Sequence, residues 1–404
     1  MFDYLIRNAM LVDGTGAPAE RGDLAIQGGK IAAVGCLPHA SAAQVLDARG
    51  MYLTPGFLDI HRHADDALFR PGFGRAELAQ GLTTIVNGNC GLSLAPVPAA
   101  RRPEIYGYLT PVTGLPAEEL PTQTMQAYLD AVGAAVLPLN VGMLVGGGTV
   151  RAAAAGFSPE PLDSGALHAV HRLIEQSLSG GALGVSLGLG YAPEIFYTTQ
   201  QLIDALAPLR ESGVPVTVHM RQEGGGVVDS VREMIAVARA LGCPVHISHL
   251  KSIGKAYWGR YMPRMLEILT RTREEGLDVS CDLYPYTAGS TQLIHVLPPE
   301  SQDGGLAALT EKLREPAFRA RMRERMLTGT DFENLSLLVG WENIDVSTVA
   351  NEENRRFVGR SIAECAEEAH ADPFDFTFDL LASEHCTVTM IDRITSDADI
   401  CAAL

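Results

Sequence analysis

The chain has 404 residues, 47% of them hydrophobic and 20% charged, with a formal net charge of -17. That supply of apolar side chains supports a sizeable core and excludes a disordered chain. The negative balance, without a basic cluster, excludes a nucleic-acid partner but leaves small molecules, anions included. Seven scattered cysteines, an odd number, argue against a disulfide framework, and no leader-like N-terminus or long apolar run stands out. The expectation is a cytoplasmic protein with no membrane contact.

Residues 1–53 read as three short strands, Tyr4 to Val12, Asp23 to Val34 with a Gly28-Gly29 turn inside, and Gln44 to Leu53. Alternation, β-branched residues and glycine turns make this a small β unit. From residue 54 onward, short apolar runs alternate with longer helical patterns, such as Val228 to Leu241 with Gly242 as its stop. Strand ends fall near His63, Cys90, Gly146, Leu187, His219, His249 and Tyr284. From His63 to Cys90, from His219 to His249 and from His249 to Tyr284 the ends repeat at about the 30 residues of one βαβ unit. Seven such units point to an α/β fold of the (β/α)8 TIM-type barrel class rather than an open doubly wound sheet, for which no G-x-G-x-x-G fingerprint is present. Residues 287–340 read as an insertion after the seventh strand, with a charged helical stretch from Glu311 to Met326. The chain ends in a helical pattern, Ser396 to Leu404, with Ser396 as its cap.

The chemistry concentrates at the strand ends. The stretch TPGFLDIHRHADD places His61 and His63 two apart at the end of an apparent strand, where positions i and i+2 share a face. Cys90 ends TTIVNGNC, His219 ends VPVTVH and His249 ends PVHISH. In a closed barrel such ends converge on one mouth, where the active site forms. Four strands placing five nitrogen and sulfur donors at equivalent ends point to a metal site, and thiolate with imidazole favours zinc. His246, three before His249, faces the other side of its strand and reads as a packing or supporting residue. His39, His168, His171, His370 and His385 have no strand-end placement and read as ordinary surface or core residues.

Taken together, PGFLDIHRH, GLTTIVNGNCGLSLAP, GALGVSLGLGYAP, VHMRQE, ISHLKSIG and DLYPYTAGST resemble the N-acyl-D-amino-acid deacylases (D-aminoacylases) of the amidohydrolase superfamily. Cys90 carries the resemblance to this branch. Hydantoinase-like and dihydroorotase-like relatives bridge two metals with a carboxylated lysine on the fourth strand, and here that strand, GALGVSLGLG, has none. The resemblance implies a tight zinc held by Cys90, His219 and His249, and a second, weaker site formed by His61 and His63 with Cys90 shared. It implies hydrolysis of the amide bond of N-acyl-D-amino acids, small anionic substrates. Lys251, two after His249, matches the lysine that binds the substrate α-carboxylate, and Tyr191 and Tyr284 match tyrosines near it; Arg221 and Tyr286 are weaker candidates.

Two departures accompany the match. Where the family commonly has Gly-His at the end of the third strand, this chain has Gly146-Gly147. The eighth strand, with its G-S-D motif and catalytic aspartate, is expected beyond Leu404, so the barrel of residues 54–404 reads as truncated, along with the C-terminal segment that completes the small β unit. Asp392, Asp397 and Asp399 do not follow a strand in that context. Two other readings stay open: a hydantoinase-like or dihydroorotase-like cyclic amidohydrolase, and a catalytically inactive, metal-binding truncated form.

Overall fold

The computed structural model describes residues 1–404. It divides into two units, Met1–Leu58 with Glu77–Thr84, and Asp59–Ala76 with Ile85–Leu404.

The first unit is built on a five-stranded sheet. Its strands are β1 (Phe2–Leu11), β2 (Glu20–Gln27), β3 (Lys30–Gly35), β4 (Ala42–Asp47) and the two-residue β5 (Tyr52–Leu53), in the order β3-β2-β1-β4 with β5 also on β1. The segment from Asp23 to Val34 is thus a hairpin. Gly28 and Gly29 have φ of 57° and 73°, the paired positive values that a two-residue turn needs to match strand twist. In β1 the pairing to β2 slips between Ile6 and Ala9. The bulge centres on Asn8, at φ 65°, whose N–H donates to Asp23 Oδ1 at 2.9 Å. Leu5, Ala9 and Ala25 form its buried centre.

From residue 57 onward the strand–helix repeat appears as expected. β6 (Phe57–Asp59), β7 (Leu82–Asn87) and β8 (Asn140–Met143) form a three-stranded sheet, and β9 (Val145–Gly146) continues β8 after a break at Leu144. Then β10 (Val185–Gly188), β11 (Val216–His219), β12 (Val245–Ile247) and β13 (Val279–Cys281) follow β9 in one parallel sheet. Register explains why such short strands hold. Val145, Val185, Val216, Val245 and Val279 lie side by side across all five strands, each at most 1% exposed. Two residues on, Leu187, Val218 and Ile247 make the next layer. Burying each such side chain contributes roughly 1.5–3 kcal/mol, and the stacked layers are those of a barrel interior. Helices between strands present apolar stripes inward; Val227–Leu241 buries nine residues and stops at Gly242 in the left-handed conformation.

After β13 the repeat gives way to an antiparallel sheet, β14 (Ala288–Gln292), β15 (Ile344–Thr348) and β16 (Thr389–Arg393), with β16 in the middle. The segment that departs from the repeat therefore reaches well past residue 340. The charged stretch from Glu311 to Met326 is two helices, Gly305–Lys312 and Pro316–Thr328. Pro316 separates them, since proline cannot continue a helix but suits its first turn. The last helix, Asp397–Ala403, is capped by Ser396, whose Oγ accepts from Asp399 N at 3.1 Å. No helix is long and apolar enough to cross a membrane.

Candidate metal centre

All five predicted donors come together. Cys90 Sγ stands 3.3 Å from His61 Nε2 and 3.5 Å from His249 Nε2, and His219 Nδ1 is 3.0 Å from His249 Nε2. Two trios result, His61–His63–Cys90 and Cys90–His219–His249, each with its donor atoms within 4.8 Å of one another. Their shared member is the thiol. Imidazole nitrogens and a thiolate form a donor set that suits zinc. His63 Nδ1 is buried with no hydrogen-bond partner, as a nitrogen intended for a cation would be.

The local backbone differs in detail from the strand-end reading. β6 stops at Asp59 and β7 at Asn87, so His61, His63 and Cys90 sit in the turns that follow; His219 is the last residue of β11, and His249 lies two past β12. The His61 and His63 rings converge all the same, with centroids 5.4 Å apart. Cys90 and His249 have φ of 55° and 40°, in the left-handed region that non-glycine residues rarely adopt and that functional sites tolerate when surroundings enforce it. Around Cys90 the enforcement is visible: Gly91 N donates to Ser186 Oγ at 3.1 Å, and Asn89 Nδ2 donates to the carbonyls of Ile60 and Val86, both at 3.1 Å. His249 N donates to Asp282 Oδ1.

Two carboxylates missed in the sequence support the imidazoles. Asp282, just past β13, faces His246 Nε2 at 2.9 Å and His61 Nδ1 at 3.5 Å. Burial opposes its charge, yet hydrogen bonds from His246 and His61 hold it well below the usual carboxylate range. His246 thus supports through Asp282, as its place on the strand suggested. Glu223 sits 3.1 Å from His249 Nδ1, 3.8 Å from His219 Nε2 and 2.7 Å from Lys251 Nζ. Such carboxylate–imidazole contacts fix ring orientation at metal sites. Strand-end logic could have found Asp282, two before Tyr284, and Glu223, four after His219; nothing local marks Glu333, which accepts from the N–H groups of Glu223 and Gly224.

Burial dominates the electrostatics. It holds His63, His219 and His249 below their ordinary range, in the neutral form that ligates metals. His61 moves the other way: burial works against its charge, but the Cys90 thiolate and Asp282 outweigh it and lift it to about 10.

The predicted substrate residues border the same space. A cleft of about 770 Å³ is lined by Tyr191, His219, His249, Lys251 and Tyr284, and a second of about 1080 Å³ by His61, His63, Cys90, Tyr191, His249 and Tyr284. The Tyr191 ring lies 4.2 Å from that of His219 and 4.2 Å from that of His295, a residue sequence reasoning passed over. Tyr286 is 68% exposed and borders only the second cleft. Arg221 lines the first cleft, but its guanidinium is spent on Glu233, at 3.0 and 2.9 Å, and on Ile195 O at 2.8 Å.

Gly147 has a structural reason. A Cβ there would collide with Glu194 Oε1, and one at Gly91 with Glu194 Oε2. The Glu194 carboxyl, 2% exposed, occupies the room a side chain at 147 would need and accepts from Gly188 N at 2.7 Å.

A family model described as "Amidohydrolase family" matches residues 44–323. The D-aminoacylase of Alcaligenes xylosoxydans xylosoxydans is 36% identical over 292 residues, covering 72% of this chain and 59% of that protein. The N-acyl-D-glutamate deacylase of the same organism is also 36% identical, over 304 residues, covering 74% of this chain and 59% of that protein. The chain thus spans about three fifths of the length of these relatives. Among solved structures, N-acyl-D-glutamate deacylase from Bordetella bronchiseptica, complexed with zinc and a phosphonate mimic of the tetrahedral intermediate, superposes with a TM-score of 0.80 at 28% identity, covering 99% of this chain and 73% of that one.

Proposed function

The chain belongs to the amidohydrolase family, and from that premise we propose that it forms the metal-binding part of an enzyme that hydrolyses N-acyl-D-amino acids to a carboxylate and a free D-amino acid. The observation that carries the reading is Cys90 Sγ, placed between His61 Nε2 and His249 Nε2. In this reading Cys90, His219 and His249 hold a tight zinc ion, and His61 and His63 with Cys90 form a second, weaker site. When bound, zinc polarises an acyl carbonyl and brings the pKa of a bound water from 15.7 to about 7.

The chain's own residues do the rest of the work assigned here. Asp282, bonded to His246, faces His61, and Lys251 Nζ, paired with Glu223, stands 2.8 Å from His249 Nδ1. Lys251 holds the substrate α-carboxylate, with Tyr191 and Tyr284 closing the space around it; its ammonium is 5.8 Å from the Tyr284 ring centre. The Glu223 carboxylate keeps the Lys251 ammonium charged at a buried position. No residue of 1–404 is assigned the proton transfer to the leaving amine.

Ring opening of cyclic amides is the competing activity. β10 carries Ser186 and Gly188 rather than a lysine, and Ser186 Oγ is spent on Gly88 O and Gly91 N. The test is turnover of N-acetyl-D- and N-acetyl-L-amino acids and of hydantoins by the zinc-supplied protein. Hydrolysis of the D forms alone is expected. Preference for L forms, or ring opening alone, overturns the reading, and bound zinc without any turnover favours an inactive metal-binding protein.

A further inference from the structure

The two curated relatives above differ in what their names say they act on, yet both are 36% identical to this chain. Identity therefore does not say whether the amino acid's side chain is acidic. The cleft beside His219 and His249 does.

One side of it is apolar, with Ile195, Ile253, Leu297, Phe332, Leu335 and Ile394, while Ser290, Thr291 and Gln302 add uncharged polar groups. Phe332 and Leu335 come from the segment inserted between β14 and β15, so this wall is a property of that insertion. Every cationic group on the cleft is already committed. Arg221 makes a two-pronged bond to Glu233. Lys251 is 2.7 Å from Glu223 and is needed for the α-carboxylate. The His295 ring packs against that of Tyr191, with centroids 4.2 Å apart, and burial opposes its taking a charge. The remaining charged lining groups are the carboxyls of Glu223, Glu333 and Asp392. A second substrate carboxylate would enter with no free cation, and a buried unpaired charge is strongly disfavoured.

We propose that this cleft receives the side chain of the amino acid and selects apolar side chains over acidic ones, with the Arg221–Glu233 pair as the specificity determinant that withholds a cation. The inference rests on the deacylase reading above.

The test compares kcat/KM of the zinc-supplied full chain for N-acetyl-D-leucine, N-acetyl-D-phenylalanine, N-acetyl-D-glutamate and N-acetyl-D-lysine, with Kd for the same compounds by calorimetry. The apolar pair should exceed the acidic compound by roughly 100-fold or more, as expected for a site that leaves a buried polar group unpaired. Glu233→Gln frees the Arg221 guanidinium and should move the glutamate-to-leucine ratio toward glutamate by about tenfold or more, with circular dichroism confirming the fold. Equal or better use of the glutamate compound by the parent protein overturns this inference while leaving the deacylase reading intact. An unchanged ratio in folded Glu233→Gln removes the role of the Arg221–Glu233 pair. Neither turnover nor binding of any of the four compounds overturns both.

Discussion

Replacing Glu194 with glutamine tests the packing behind the metal centre. The carboxyl is 2% exposed and faces Gly188 N, with the charges of Arg151 and Arg221 and the hydroxyls of Tyr108 and Tyr197 around it. Burial pushes it from 4.5 up to about 7, against the pull of the Gly188 N–H and of Arg151. The folded protein therefore holds a proton that the unfolded chain releases between 4.5 and about 7. Stabilisation by this group is full below 4.5 and is lost as pH rises through about 7. At about 1.36 kcal/mol per pKa unit, the loss amounts to about 3 kcal/mol. Glutamine keeps the size and the acceptor and removes the ionisation. Urea unfolding of parent and Glu194→Gln at about pH 5 and about pH 8 isolates the effect, because other groups cancel in the difference. Relative to the variant, the parent should lose on the order of 2–3 kcal/mol between the two conditions. Parallel pH dependence would refute the reasoning, because Glu194 would then ionise alike in folded and unfolded protein.

Gly147→Ala should destabilise by about 1–3 kcal/mol, since its Cβ meets Glu194; combining it with Glu194→Ala should recover most of that loss in the same urea assay. Asp282→Asn removes the charge that faces His61 and His246, and a competition titration with a chromophoric chelator should show roughly 10–100-fold weaker zinc binding. Thr198 caps the helix Thr199–Ala205 in a reciprocal box with Gln201; Thr198→Ala should lower thermal stability by about 1 kcal/mol without changing zinc content.

The strand–helix repeat was legible because its physics is local. The buried strands are short apolar runs, and β6, β7, β11 and β12 end at or just before a donor residue. Gly28-Gly29, Gly242 and the Ser396 cap were legible for the same reason: each needs only its neighbours in the chain. The antiparallel sheet was not. β14 reads AGSTQ, without the alternation that marks a strand, and its partner β16 pairs Ser290 with Ile391 across a long stretch of chain. His295 reaches Tyr191 because of that sheet, so its role was hidden with it. Glu333 and Glu233 act on Glu223 and Arg221 through tertiary contacts that no motif spacing encodes. Gly147 was visible as a departure from the family, but the occupant of its space, Glu194, lies on another turn of chain. The five donors were found because type and strand-end placement sufficed; the carboxylates that orient them were not, because acidic residues are common and only their distances distinguish them.

The central claim is that Cys90 is the shared ligand of a metal site. Adding cobalt(II) to the metal-stripped protein reads it directly, since a thiolate on cobalt gives a charge-transfer band in the near ultraviolet that imidazole ligands do not. The band should appear in the parent protein and be absent in Cys90→Ala, with the visible d–d absorption of the remaining histidine-bound ion weakened. A band that persists in Cys90→Ala, or that never appears in a parent protein that binds cobalt, would contradict the account.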